Sequence, residues 1–341
     1  MRALATAAAL LFAAAAGAST LTVTVDPRLE LLGAVRQLAV ARLDPARPPD
    51  PEVTAAFGRL KDHPAVSAYA ERLGGPGPDV YGHIALYLTP PPELKWARDP
   101  AELSGDFIRR AGGRDAVERW LSQLRDFARK SGFAAFEAGR VPRHEALVRA
   151  ASAEFADYDY LGAVERYMGR PLESRMSVLL TPLYEPQLAY IAPYPYGGPG
   201  KRRRGPYEVF VSVRPPAGGE PFFPHGPFRR GVFNEYFYAY VDGIRTRYAD
   251  AADDRTVFAI VVALSDRLSR ERAAALLAAE PGWKRLWLRL RGAPPDDPED
   301  PAGADPALRA RLGRRLAGYE SARSRWPDFE SFFPRLLDAR Q

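Results

Sequence analysis

The chain of 341 residues contains no cysteine. That absence excludes disulfide bonds, thiolate nucleophiles and lipid attachment through an N-terminal cysteine. A protein without disulfides must rely on its apolar core, and a chain of this length is long enough to bury a sizeable one.

Lysine is scarce and occurs only at positions 61, 95, 130, 201 and 284, so arginine supplies most of the positive charge behind the net +6. Basic and acidic residues are interspersed, except in the run Lys-Arg-Arg-Arg at residues 201–204. A nucleic-acid-binding protein is expected to present a coherent basic face. The pattern therefore predicts no nucleic-acid partner. The run is interpreted as a solvated loop, with contact to an anionic surface as the alternative.

Long hydrophobic runs are also missing. A membrane-spanning helix needs about 20 apolar residues, and the apolar stretch over residues 4–16 is shorter and rich in alanine. Arg2 precedes that stretch, and the small residues Ala16, Gly17 and Ala18 follow it, which is the pattern of a secretory signal. The sequence predicts a signal peptide over residues 1–18, cleavage near Ala18, a secreted or periplasmic location and no transmembrane segment.

Two common catalytic motifs are absent. The sequence has no Gly-rich phosphate loop with its lysine and no Gly-x-Ser-x-Gly nucleophile elbow. Phosphate-loop and serine-hydrolase chemistry are therefore not expected.

The order of helical and strand patterns predicts an α+β fold. The N-terminal half is mostly helical after a short strand at residues 21–25, and Asp26 and Pro27 are suited to begin the first helix. Three short strands, at residues 175–181, 187–191 and 207–213, predict a small antiparallel sheet. Further helical patterns follow at residues 228–241, 256–264 and 270–279.

The domain organisation follows from the same pattern. Residues 19–292 are expected to form one domain. Residues 293–306 are acidic and rich in proline, which is typical of a linker. Residues 307–341 are expected to form C-terminal helices that dock on the domain.

The stretch from Gly231 to Gly243 has the frame of a zinc-peptidase helix. Such a helix reads His-Glu-x-x-His, with two histidines one turn apart that bind Zn²⁺ and a glutamate that acts as general base. Here Asn234 and Tyr238 occupy the histidine positions, and Glu235 retains the base position.

Several motifs in order resemble domain-of-unknown-function family 4932, secreted bacterial proteins of zinc-peptidase-like type. The resemblance covers roughly residues 21–265 and rests on motifs at residues 25–32, 61–66, 127–136, 176–182, 208–211 and 232–242. It implies a zincin-like helix at residues 232–242 and a third, acidic ligand on a later helix near Ala259. Residues 256–265 contain neither Asp nor Glu. All three ligand positions therefore depart from the family pattern, and no metal or other cofactor is expected.

The replacements weaken the chemistry that the family implies. An asparagine amide is an uncharged, weak zinc ligand, and a tyrosine phenol, with a reference pKa of about 10, is mostly protonated at neutral pH. Without zinc, Glu235 loses the ion that would lower the pKa of its water to about 7. Glu235 is the one candidate catalytic residue and is expected to be inactive.

The chain has four histidines. His63 lies where a helix stops and is expected to cap or pack, and His83 is expected to pack on an apolar helix. His144 is predicted to begin a charged helix and to be solvated. His225 precedes the zincin-like helix and is expected to line its cleft.

Three functions stay open from the residues alone. The leading one is a secreted, non-catalytic relative of a zinc metallopeptidase whose cleft, lined by Asn234, Tyr238, Tyr240 and His225, binds a peptide or protein. The second is an active hydrolase that uses recruited ligands or metal-free chemistry around Glu235. The third is a purely structural envelope protein.

Overall fold

A computed structural model describes residues 10–12, 20–73, 80–100, 105–171, 175–184, 189–192, 208–213, 254–279 and 306–337, together with positions 233, 236, 237, 241 and 244. The described chain is mostly helical with one small sheet, which confirms the α+β class. The predicted linker and the loop with the basic run lie outside these residues, apart from Pro306, which begins a helix.

The first long helix begins where the sequence predicts it. Strand β2 (Thr20–Val25) leads directly into helix α1 (Pro27–Leu43). The Asp26 side chain accepts a hydrogen bond from the backbone N–H of Arg28, and Pro27 occupies the first turn, where its missing N–H costs nothing.

Seven further α-helices lie among the described residues of the N-terminal half. They are α2 (Pro51–Phe57), α3 (Pro64–Leu73), α4 (Tyr81–Ala85), α5 (Gly105–Arg110), α6 (Arg114–Ser131), α7 (Phe133–Asp157) and α8 (Tyr160–Met168). Helix α7 continues through Pro142, although proline removes one backbone hydrogen bond from a helix interior. The prediction that a separate helix begins at His144 is therefore wrong, and this continuity decides where His144 lies.

The sheet is mixed. The prediction of an antiparallel sheet is therefore wrong for the central strands. The sheet's five described strands are ordered β1 (Leu10–Phe12), β2, β3 (Arg175–Leu180), β5 (Glu208–Val213) and β4 (Ala189–Ala192). Strands β2, β3 and β5 run parallel, and only the edge pairs β1–β2 and β4–β5 are antiparallel. Parallel neighbours need long crossover connections, and the helical half of the chain provides the one between β2 and β3.

Strand β3 separates two apolar cores. Met176, Val178 and Leu180 belong to a core that also contains residues of β2 and α8, here called the sheet core. Leu179 belongs to a second core built from the N-terminal helices, here called the helical core. The division follows from the alternation of side chains along a strand.

Three α-helices with described bounds follow the sheet: α9 (Asp254–Ala279), α10 (Pro306–Ser321) and α11 (Phe329–Leu337). Helix α9 is continuous, although the sequence predicts two helices there. Side chains of α9, α10 and α11 contribute to the sheet core. Within the described part of the chain, none of the helices has the length and apolar character required to cross a bilayer.

Candidate functional site

The five residues predicted to form the zincin-like site and its cleft lie outside the described residues: His225, Asn234, Glu235, Tyr238 and Tyr240. Their expected roles stay predictions.

The described positions of the same stretch are helical and buried. Phe233, Tyr236, Phe237, Val241 and Ile244 are at most 1% exposed and belong to the sheet core. The Tyr236 hydroxyl donates a hydrogen bond of 2.9 Å to Oε1 of Glu165 on α8. One face of this helical stretch is therefore anchored in the core.

The position implied for a third zinc ligand lies in the same core. Ala259 on α9 is 1% exposed, and Val257, Ile260 and Val261 around it are fully buried. An ionised carboxylate in such surroundings would be expensive without a partner. Helix α9 therefore provides no ligand at this position.

A different polar cluster lies between α1, α7 and the segment after β3. One face of α1 contacts that segment. Gln37 Nε2 donates a hydrogen bond of 2.8 Å to the carbonyl of Leu183, and the Leu183 N–H donates one of 3.0 Å to Glu30 Oε1. Between them, Gly33 approaches so closely that a Cβ there would lie 2.5 Å from the Leu183 carbonyl carbon. The absence of a side chain at Gly33 lets the backbone of Leu183 reach Glu30.

Helix α7 supplies the other members of the cluster. Glu137, Arg140 and His144 are spaced three and four residues apart, so they lie on one face of the helix. Arg140 Nη1 donates a hydrogen bond of 2.8 Å to Oε2 of Glu30, which is fully buried. Arg140 is also buried, and its Nε lies 3.5 Å from Oε2 of Glu52 on α2.

His144 lies between two carboxylates. Its Nδ1 is 3.3 Å from Glu137 Oε1, and its Nε2 is 3.8 Å from Glu30 Oε2. The residue is only 8% exposed, so the prediction that His144 is solvated is wrong. The reason is the continuity of α7 through Pro142, which places His144 in the middle of a helix rather than at its exposed start.

Burial dominates the electrostatics of Glu30. It raises the pKa of the Glu30 carboxyl from its ordinary value to about 8, although the charge of Arg140 and the Leu183 N–H act in the opposite direction. Desolvation penalises the charged form of a buried acid. Glu137 adds to the rise because it is a second negative charge nearby.

The cluster is short of one positive charge. With His144 neutral, the carboxylates of Glu30 and Glu137 face the single guanidinium of Arg140. A neutral imidazole donates only one hydrogen bond, so it cannot donate to both carboxylates. Glu137 Oε2 and His144 Nε2 are buried and have no hydrogen-bond partner. The arrangement can take up either a proton or a cation. Glu30, Glu137 and His144 each offer one ligand atom, and these atoms lie within 4.8 Å of one another.

The two other described histidines have structural surroundings, as the sequence predicts. His63 Nδ1 accepts a hydrogen bond of 3.2 Å from the Ala65 N–H at the start of α3, and its ring packs edge-on against Phe127. The His83 ring stacks on Phe107 at 4.4 Å.

A surface pocket of about 740 Å³ lies beside α1 and α2. Its lining includes Gln37, Arg47, Asp50 and Thr54, but not Glu30, Glu137, Arg140 or His144.

The cluster matches no known motif, but the sequence carries signals for it. Glu30 stands between leucines in an apolar run of α1. A charged residue in such a position requires a partner, because charged side chains are rarely buried alone. Glu137, Arg140 and His144 then supply the complementary groups at helical spacing.

No protein-family model matches the chain, and no match was found among curated proteins or among solved structures. The resemblance to domain-of-unknown-function family 4932 stays a prediction.

Proposed function

We propose that the protein is an exported, non-catalytic relative of zinc peptidases that binds a peptide or protein in a cleft beside its zincin-like helix. The observation that carries the loss of catalysis is the environment of Ala259. This position, where the family resemblance implies an acidic ligand, is buried among apolar side chains of α9. Together with Asn234 and Tyr238 in place of histidines, it leaves Glu235 without the three zinc ligands of a peptidase.

Two features support peptide binding. Tyr238 and Tyr240 offer large amphipathic side chains of the type enriched at interfaces. The edge of β2 can also pair with an extended segment, since β1 lies antiparallel against Leu21 to Val23. Cleavage near Ala18 would remove β1 and leave this edge for a peptide strand.

A peptide library separates binding from catalysis. The purified protein is expected to cleave no peptide, and to retain a subset of peptides whose binding weakens about tenfold or more in Tyr238→Ala and Tyr240→Ala. Leu43→Ala, which alters an exposed residue of α1, serves as the control. Cleavage that disappears in Glu235→Gln would overturn the proposal and favour an active hydrolase.

Export has its own test. Protein recovered from the periplasm or medium of an expressing bacterium is expected to begin at Ser19 when its N-terminus is sequenced. Retention of residues 1–18 in exported protein would contradict the predicted cleavage.

A further inference from the structure

We propose that Glu30, Glu137 and His144 form a site for one divalent transition-metal ion, with Zn²⁺ as the best-suited ion. The site is separate from the zincin-like helix, and its function is to join α1 to α7 rather than to react with a substrate. The proposal does not depend on the peptide-binding function.

The donor atoms are of the right kind. Zinc sites in proteins combine histidine nitrogen with carboxylate oxygen. His144 Nε2 is the ligand nitrogen that we assign, because it is buried and makes no hydrogen bond. Glu137 Oε2 has no hydrogen-bond partner either, and Glu30 Oε2 lies 3.8 Å from His144 Nε2.

The spacing of these atoms is close to what an ion requires. Ligands that surround a tetrahedral zinc ion at ~2.1 Å lie roughly 3.4 Å from one another. One nitrogen or carboxylate oxygen from each of Glu30, Glu137 and His144 lies within 4.8 Å of the other two. Ion binding would therefore draw the three side chains closer together by rotation.

The neighbouring groups are arranged to orient the ligands. Arg140 and the Leu183 N–H both donate to Glu30 and fix its carboxylate.

Charge and burial favour a structural ion over an exchangeable one. A divalent cation would add the positive charge that the two carboxylates and Arg140 lack. Since Glu30 is fully buried, the ion would be shielded from solvent on the α1 side. Binding an ion to the folded state alone stabilises that state by mass action.

Zinc titration of the full-length protein tests the site. After dialysis against a chelator, calorimetry is expected to give one Zn²⁺ per chain, with binding at least tenfold weaker in both His144→Ala and Glu137→Gln. His63→Ala removes another buried histidine that faces a carboxylate, and it is expected to bind zinc as the unaltered protein does. Glu235→Gln is also expected to retain binding, which separates this site from the zincin-like helix.

Two results would overturn the proposal. One is the absence of zinc binding by the folded, unaltered protein, which would mean that the cluster holds only a proton. The other is unchanged zinc affinity in Glu137→Gln. That variant preserves the side-chain shape at a position whose side chain is 18% exposed, so it decides the matter if His144→Ala fails to fold.

Discussion

His63 and His144 are equally buried, and both face carboxylates, but they differ in how the groups at their two ring nitrogens are satisfied. His63 Nδ1 accepts from a backbone N–H, so its Nε2 carries the proton and donates to Asp126 at 3.1 Å. In its neutral form, His63 therefore has a hydrogen-bond partner at both ring nitrogens. His144 has a carboxylate at each nitrogen, and a neutral imidazole satisfies only one of them.

The pKa values of the carboxyl groups beside the two histidines are also shifted in opposite directions. The hydrogen bond from Lys130 lowers the pKa of Asp126, and His63 contributes to the same direction. Burial raises the pKa of Glu30. This difference shows that the proximity of a histidine to a carboxylate is not enough to define a cation-binding site. What matters is whether the protein's own groups already complete the charges and hydrogen bonds.

The largest expected effect comes from removing the cation of the buried cluster. At pH 9, where the Glu30 carboxyl with its pKa of about 8 is mostly ionised, Arg140→Ala leaves that carboxylate without its cation and is expected to lower the free energy of unfolding by about 3–5 kcal/mol, measured by urea denaturation. Arg143→Ala is the matched control, because Arg143 pairs with Glu52 at 2.9 Å on the surface, and such pairs contribute about 0–1 kcal/mol. Equal effects of the two variants would show that the cluster is no more important than a surface pair.

The second prediction concerns the close approach that buries Glu30. Gly33→Ala places a Cβ against the Leu183 backbone and is expected to cost about 1–3 kcal/mol in denaturation experiments. Gly139→Ala on α7 is the matched change, since a Cβ there meets nothing within 4 Å, and it is expected to stabilise by about 0.5–1 kcal/mol. If Gly33→Ala were also stabilising, α1 would not be held against Leu183 as described.

The third prediction uses the raised pKa of Glu30 in protein kept free of metal by a chelator. The folded-state pKa of about 8 lies above the ordinary 4.5, so the folded protein binds more protons between these values. Stability should fall as pH rises from 4.5 to 8, by at most about 1.4 kcal/mol per pH unit. Glu30→Gln should remove this slope in denaturation curves measured across that range. A slope that survives the substitution would assign it to another group.

The smallest effect is expected at Asp126, on the other side of the comparison. Its lowered pKa means that its contribution is present above pH 3.8 and is lost as pH falls through the folded-state pKa. Asp126→Asn should therefore reduce the loss of stability on the acid side and leave the slope between pH 4.5 and 8 unchanged. An altered slope in that upper range would mean that the two clusters are coupled.

The sequence predicts much of the secondary structure because the signals are local. Asp26 and Pro27 begin α1, and the apolar spacing of α6 and α8 agrees with their buried faces. The direction of the strands could not be predicted in this way. It depends on crossovers that place β2 beside β3 and β3 beside β5, and these pairings join residues far apart in the chain.

The buried cluster shows where local interpretation fails. Proline disfavours a helix interior, so Pro142 agrees with a helix that starts at His144. Because charged residues flank His144 on both sides in the sequence, that helix start is predicted to be exposed to solvent. The tertiary structure keeps α7 continuous, and Glu30 arrives from α1 more than a hundred residues earlier. Only the partner from α1 turns a helical face of mixed charge into a candidate binding site.

The most direct measurement follows the two imidazoles by NMR as zinc is added to metal-free protein. The ring signals of His144 are expected to shift and to saturate at one equivalent of zinc, whereas those of His63 stay in place. Unchanged His144 signals, or equal shifts at both histidines, would contradict the distinction between a completed cluster and one that lacks a cation.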